Sequence, residues 1–277
     1  RERLLREAEG NVALRVATTA DSDSFEVSGR GELQLAILIE TMRREGFELT
    51  VGRPRVLMRE GENGTRLEPV EEVIIDVDEE YAGGVVQKLS ERRAQLRDMR
   101  ASGIGRQRLV FHAPTRGLIG YQSELLSDTR GTAVMNRLFH DYVPYLGPIE
   151  GRRTGVLISN GDGDAVAYAL WNLEDRGPMF VSPGERVYEG MVVGEHSRGN
   201  DLEVNVLKGK KLTNIRAAGK DENVQLTTPV NMTLEKAIAY IGDDELVEVT
   251  PGAIRIRKAL LDRHERKRAE RGRDSVA

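Results

Sequence analysis

The stretch from Lys208 to Lys220 carries five basic side chains and no acidic one, in a chain whose formal net charge is -4. Lys208, Lys210, Lys211, Arg216 and Lys220 sit on a glycine-punctuated segment with neither a helical nor a strand period. Five like charges on a short loop repel one another unless a polyanion lies opposite, and nucleic-acid phosphate is the usual polyanion. A solvated lysine loop would account for the bare charge run equally well. A second basic stretch, Arg255 to Arg273, sets nine bases against three acids (Asp262, Glu265, Glu270). Periodicity predicts a basic helix over 257–271 with Arg257, Lys258, Arg263, Arg266, Lys267 and Arg268 distributed around it. These six are expected as secondary RNA contacts through diffuse attraction, against the alternative of a solvated terminal helix.

Catalytic constellations are missing from the sequence. The Gly-Lys pairs at 209–210 and 219–220 are followed by Lys211 and Asp221, so neither has the hydroxyl and preceding glycine of a P-loop. His112, His140, His196 and His264 do not stand at zinc-ligand spacing. No serine lies in a Gly-x-Ser-x-Gly elbow. Asp162 and Asp164 suggest calcium, but no further acid follows before Glu174, and a tight hairpin turn at Asn160–Gly163 fits better. Gly29 and Gly31 read more simply as a strand-to-helix turn than as an anion site. Trp171, alone in an apolar run, is expected to pack in the core.

What must position the basic run is several small domains. A chain of 277 residues exceeds one ordinary core, and 39% hydrophobic with 31% charged residues suits modest domains with much surface. The absence of cysteine excludes disulfides and thiolate metal sites. Apolar runs are too short for a membrane span, so no membrane contact and a cytoplasmic location are expected. Residues 1–57 read as helix, strand, strand, helix, strand: a βαββαβ module lacking its first strand, which implies that the chain begins inside a domain. After a linker at 58–66, residues 67–145 read as a second βαββαβ module, with a helix from Asp78 through Met99 and a short strand near Arg100–Ser102. Residues 146–277 carry short β-type runs (155–159, 165–171, 179–181, 191–195, 202–207), a helix at 234–241 capped by Thr233, and the basic helix. The fold class expected is α+β: two ferredoxin-like βαββαβ domains, the first truncated at its N-terminus, then a β-rich C-terminal domain with helices.

Several motifs carry a family likeness. Ser28-Gly29-Arg30-Gly31-Glu32-Leu33-Gln34-Leu35 and Arg43-Arg44-Glu45-Gly46-Phe47-Glu48-Leu49 resemble domain III of elongation factor G-type translational GTPases. Glu68-Pro69, Glu80-Tyr81-Ala82-Gly83, Arg92-Arg93, Gly120-Tyr121 and Ser127-Asp128-Thr129-Arg130-Gly131 resemble domain V. Pro114-Thr115-Arg116-Gly117-Leu118-Ile119-Gly120-Tyr121 is closer to the TypA/BipA branch. Gly194-Glu195-His196, the run 208–220, Leu246-Val247-Glu248-Val249-Thr250-Pro251 and Ile254-Arg255-Ile256-Arg257-Lys258 resemble the C-terminal domain peculiar to that branch. The resemblance implies the C-terminal part of a ribosome-associated GTPase, linked to large-subunit assembly and to stress or cold adaptation. It implies as partners the ribosome, rRNA and tRNA at the A-site side, reached by the C-terminal loop. GTP and magnesium would belong to a nucleotide-binding domain that has no counterpart in this sequence. A monomer with no cofactor and no GTP hydrolysis of its own is therefore expected. A non-catalytic protein-binding module, its basic tail on an acidic protein, is the competing class.

Overall fold

A computed structural model describes residues 1–19, 24–209 and 225–274. The chain opens with α1 (Glu2–Gly10), the hairpin strands β1 (Arg15–Thr18) and β2 (Phe25–Ser28), then α2 (Glu32–Arg44). The first strand starts later than the alternation at Val12–Val16 suggests, because the Asn11 side chain accepts the Ala13 amide at 3.1 Å and turns the chain there. On α2, Leu38 and Met42 stand four apart and close over Leu14, with Val16 and Val27 of the hairpin packed alongside. Gly46 ends the helix at φ +93°, and the Phe47 amide reaches back to the Met42 carbonyl at 3.1 Å. Arg3 ties α1 to this end through Glu45 at 2.7 Å.

The next unit is a complete βαββαβ module. It comprises β4 (Arg59–Glu60), β5 (Arg66–Asp78), α3 (Glu79–Glu91), β6 (Gln95–Gly103), β7 (Arg106–Pro114), α4 (Tyr121–Asp128) and β8 (Val134–Pro144). All its strand pairs are antiparallel: β5 lies between β7 and β8, and β6 completes the far edge. Alternate residues Val73, Ile75 and Val77 of β5 meet Leu109 and Phe111 of β7 beneath Val85, Leu89, Tyr121 and Leu125 of the two helices. The stretch 58–66, expected as a linker, instead forms a hairpin in which Arg59 pairs with Leu67 and Glu60 with Arg66. The helix expected to run through Met99 stops at Glu91. Arg93 adopts φ +64°, the Ala94 amide closes onto the Leu89 carbonyl, and Leu96 becomes a strand residue opposite Phe111. Leu89 and Leu96 are seven apart, so helical spacing continued past the true end.

The last unit holds β9 (Gly155–Ser159), β10 (Gly163–Asp164), α5 (Ala167–Leu173), β11 (Arg186–Val187), β12 (Met191–His196), β13 (Leu202–Val204), α6 (Leu234–Tyr240), β14 (Glu245–Val249), β15 (Ile254–Lys258) and α7 (Arg263–Asp274). Successive residues of β9 point to opposite faces of its sheet. Val156 and Ile158 pack with Ile238 of α6 and with Ile241 just beyond it, while Leu157 packs with Val193, Val204 and Leu170. Thr233 caps α6 by accepting the Lys236 amide at 3.4 Å. The run 165–171, expected as a strand, is largely helical, and Trp171 is 48% exposed rather than core. A short apolar run does not reveal its period. The Asn160–Gly163 turn joins no hairpin: β10 pairs with β11, and Asp162 accepts the Glu189 amide at 3.0 Å.

The three units are interlocked. The last strand of the first unit, β3 (Leu49–Val51), does not join β1 and β2; it pairs antiparallel with β14, giving a six-stranded sheet in the order β13-β9-β12-β15-β14-β3. Leu49 consequently packs into both the N-terminal core and the core beneath α6. The middle unit is held to α2 by Glu32, which accepts the Gly120 amide at 3.1 Å and lies 3.6 Å from Arg137. Gly120 has φ +71°, and a Cβ there would stand 2.5 Å from that of Ala239, so α6 can approach only over a glycine. Leu49→Ala should remove packing from two cores at once and destabilise the chain by about 2–3 kcal/mol. Urea unfolding followed by circular dichroism checks this, and a loss confined to one of two resolved transitions would contradict the shared core.

Candidate nucleic-acid interface

The run 208–220 leaves and re-enters one core. On the leaving side Val204 and Val206 are buried, the Val166 amide bonds the Val206 carbonyl at 2.9 Å, and the Asn205 side chain accepts the Leu207 amide at 2.9 Å. Beyond residue 224, Leu226 packs on the same cluster, the Thr227 amide bonds Glu174 at 2.6 Å, and the Val230 amide bonds the Met179 carbonyl at 2.8 Å. Lys208 is exposed at the first stem. Lys210, Lys211, Arg216 and Lys220 lie outside the described residues.

The second basic stretch divides into strand and helix. Arg257 and Lys258, expected on the helix, belong to β15, and α7 begins at Arg263. Lys258 is a correction to the expected RNA contacts: its side chain is 3% exposed, and its ammonium lies 2.5 Å from Asp201, 2.9 Å from Asp244 and 3.0 Å from Glu245. Arg257 is half-buried and donates to the Lys258 carbonyl at 3.1 Å. Arg266 is likewise engaged, by Glu203 at 2.5 Å and by the Leu260 and Leu261 carbonyls, and so fastens α7 to β13. Arg263, Lys267 and Arg268 are exposed.

With Arg266 turned inward, four outward residues of α7 share one stripe, and the exposed Arg263 lies outside it. His264, Lys267, Arg268 and Arg271 follow the spacing i, i+3, i+4, i+7 and line a single shallow hollow. Lys267 and Arg268 share this stripe, while Arg263 and Arg266 stand off it. His264 and Arg271 were not among the candidates. None of the four has an ion-pair partner among the described residues. Unpaired Lys267, Arg268 and Arg271 on a fastened helix are suited to a phosphate backbone.

Glu245 organises the buried charges. One carboxylate oxygen accepts from Arg152 at 2.8 Å and Lys258 at 3.0 Å; the other accepts from Arg152 at 3.0 Å and the Gly242 amide at 2.8 Å. Burial pushes the Glu245 carboxyl upward, but the Arg152 hydrogen bonds and the Lys258 charge outweigh it and hold the pKa below the ordinary value. For Lys258, burial acts downward while Glu245 and Asp201 raise its pKa on balance. Among the described residues no group of three or more His, Asp or Glu side chains is placed to hold a metal ion.

Comparison with known proteins agrees with this division of the chain. Residues 65–152 match the model of the elongation factor G C-terminus, and residues 154–263 match that of the TypA/BipA C-terminal domain. Residues 154–263 thus form a domain of the TypA/BipA type. It is 54% identical over 272 residues to the large ribosomal subunit assembly factor BipA of Salmonella typhimurium, which covers 98% of this chain and 45% of that protein. BipA of Haemophilus influenzae is 51% identical over 277 residues, and BipA of Bacillus subtilis 49% over 269. The chain thus spans under half the length of these curated relatives. The basic run and the α7 stripe both belong to the unit that follows the elongation factor G-like module.

The buried charges make a pH-dependent prediction. Because the folded pKa of Glu245 is depressed, its contribution is present above the ordinary glutamate value of 4.5 and is lost as pH falls through the folded value. Lys258→Met should destabilise the chain by about 3–5 kcal/mol at pH 7, since it leaves the carboxylate cluster around the buried Glu245 with one cation fewer. The deficit should shrink towards pH 4, where protonation relieves that cluster. Thermal unfolding of both proteins between pH 4 and pH 8 measures it, and a deficit independent of pH would contradict the assignment.

Proposed function

We propose that the chain is a non-catalytic RNA-binding unit that docks on ribosomal RNA, with the run 208–220 as the dominant contact and the α7 stripe as the secondary one. The observation that carries this is the sorting of its cations. Lys258, Arg266 and Arg152 are held by carboxylates, whereas Lys208, Lys267, Arg268 and Arg271 face solvent with no acidic partner among the described residues. The name of the BipA relatives, large ribosomal subunit assembly factor, supports the large subunit as the RNA-bearing partner. Among the described residues no helix is long and apolar enough to cross a membrane, which suits a cytoplasmic partner. The two stems fixed on one core would let the basic run reach a recessed RNA surface, and tRNA at the A-site side belongs to the same proposal. The wider roles in subunit assembly and in stress or cold adaptation are those that the resemblance implies for the whole protein.

The chain acts as a monomer in this reading and takes no nucleotide, because its sequence contains no phosphate-cradling glycine loop. Equilibrium dialysis with GTP should show no saturable binding; a micromolar site would sink the claim.

Replacing Lys210, Lys211 and Arg216 together by alanine tests the main contact. Affinity for purified large subunits should fall several-fold or more, and the slope of log affinity against log salt should flatten by about 2–3. Thermal stability should change by no more than about 0.5 kcal/mol. A mixed protein interface would show a shallower slope in the parent chain, and an unchanged affinity and slope in the variant would return the run to a solvated loop.

A further inference from the structure

The six-stranded sheet forks beside α2. β15 is in register with β12 only where Met191 faces Arg257 and Val192 faces Ile256. From Val193 onward β12 takes another partner: the Phe180 amide donates to the Val193 carbonyl at 2.8 Å, and the Glu195 amide to the Pro178 carbonyl at 2.9 Å. The first residues of β15 therefore have no β12 neighbour. A hollow of about 960 Å³ opens there, bounded by α2 and by residues 180–182, 228–235 and 252–256. Its walls are fixed. Arg43 donates to the Pro251 carbonyl at 3.0 Å and holds α2 against the turn between β14 and β15. The Val230 amide donates to the Met179 carbonyl at 2.8 Å, and Thr233 caps α6 at the end of the same wall.

The lining is apolar at Phe180, Met191, Val192, Met232, Ile254 and Ile256. Two N–H donors beside it have no acceptor among the described residues. The Lys258 amide donates to the Gly190 carbonyl at 2.9 Å, so alternate residues of β15 turn their amides away from β14. Ile256 meets Val192 in that direction, whereas Ile254 lies beyond the last paired residue and presents its N–H to the hollow. The second donor is Arg255, whose Nε is buried without a partner. Its Nη1 stands 3.9 Å from Glu248, outside hydrogen-bond distance. A buried guanidinium N–H left unbonded is costly, and an acceptor in the hollow would relieve it. Of the other charges lining the hollow, Glu40 holds Arg43 and Arg44, each at 2.8 Å. Glu185 accepts the Ser182 amide at 3.0 Å, and Glu235 is exposed. Ile254 and Arg255 are adjacent, so one head group with two or more oxygens would meet both donors. The apolar lining would receive the rest of the molecule, and the volume suits a small organic ligand.

We propose that the fork is a binding site for an amphipathic organic anion, its head group accepting from the Arg255 side chain and the Ile254 amide, its apolar body in the hollow. The site uses none of the residues assigned to RNA and stands or falls apart from that reading. The test is a fluorescence titration of the full chain with anilinonaphthalenesulfonate, an aromatic anion, and with phenylnaphthylamine, its neutral counterpart. The anion should bind saturably at one site and be displaced by decanoate. Arg255→Gln should weaken the anion tenfold or more and leave the neutral amine unchanged. Glu248→Gln removes the acid nearest the guanidinium and keeps an acceptor for the Tyr188 hydroxyl, so it should tighten the anion several-fold. A packing defect would instead weaken both probes in either variant, so the opposite signs separate recognition from damage. The inference is overturned if the parent shows no saturable anion binding or if decanoate fails to displace the probe. It is equally overturned if Arg255→Gln changes both probes alike, or if Glu248→Gln weakens the anion.

Discussion

The buried cluster around Glu245 is the constraint on which the C-terminal unit depends. Its members come from four separate places: Arg152 before β9, Asp201 before β13, Asp244 and Glu245 at the start of β14, and Lys258 at the end of β15. Asp201 also accepts the Val156 amide at 2.9 Å, so the cluster holds β9 as well. Two cations and a fully buried carboxylate are tolerable in such a place only when every polar atom is paired. Here each Glu245 oxygen has two donors, and Arg152 additionally caps the Tyr240 carbonyl at 3.1 Å while stacking 4.3 Å from its ring. The arrangement fixes where α6 ends and where the chain enters from the middle unit.

The sharing of β3 extends this constraint across the chain. By pairing with β14 through Leu49, Thr50 and Val51, the N-terminal unit protects a strand that would otherwise be the edge of the sheet. The contacts of Glu32 with Gly120 and Arg137 then fasten the middle unit to the same α2 helix. Each boundary between units therefore carries either shared backbone pairing or an ion pair. A displacement of the N-terminal unit would move β14 and with it the turn that supplies Asp244 and Glu245.

What the sequence revealed follows from how local each signal was. The element order of the first two units was legible, since alternation at Val73–Val77 and helical spacing along α2 are properties of single segments. Leu96 misled because it kept the helical spacing of Leu89 across a left-handed Arg93 that no pattern of apolar residues announces. The strand reading of 165–171 failed for want of length, as both periods fit seven mostly apolar residues. The partner of β3 was not legible at all: strand pairing is decided by residues about two hundred positions away. The same is true of Lys258. Among neighbouring bases it reads as one more surface charge, and only the sheet brings Asp201, Asp244 and Glu245 to it.

That last point bears on how charge should be read in a protein of this kind. A count of bases between Arg255 and Arg273 mixes two populations with opposite roles. Lys258 and Arg266 are neutralised and hold β15 and α7 in place, and their cost of desolvation is met by acids contributed from Asp201 to Glu245. Arg255 lies 3.9 Å from Glu248, whereas Lys267, Arg268 and Arg271 have no acid placed against them among the described residues. The fixed pairs orient the free ones: Arg266 on Glu203 sets the rotation of α7, and that rotation turns His264, Lys267, Arg268 and Arg271 outward together. A net charge of -4 is therefore compatible with a strongly cationic face, because acids spent internally do not oppose it at the surface.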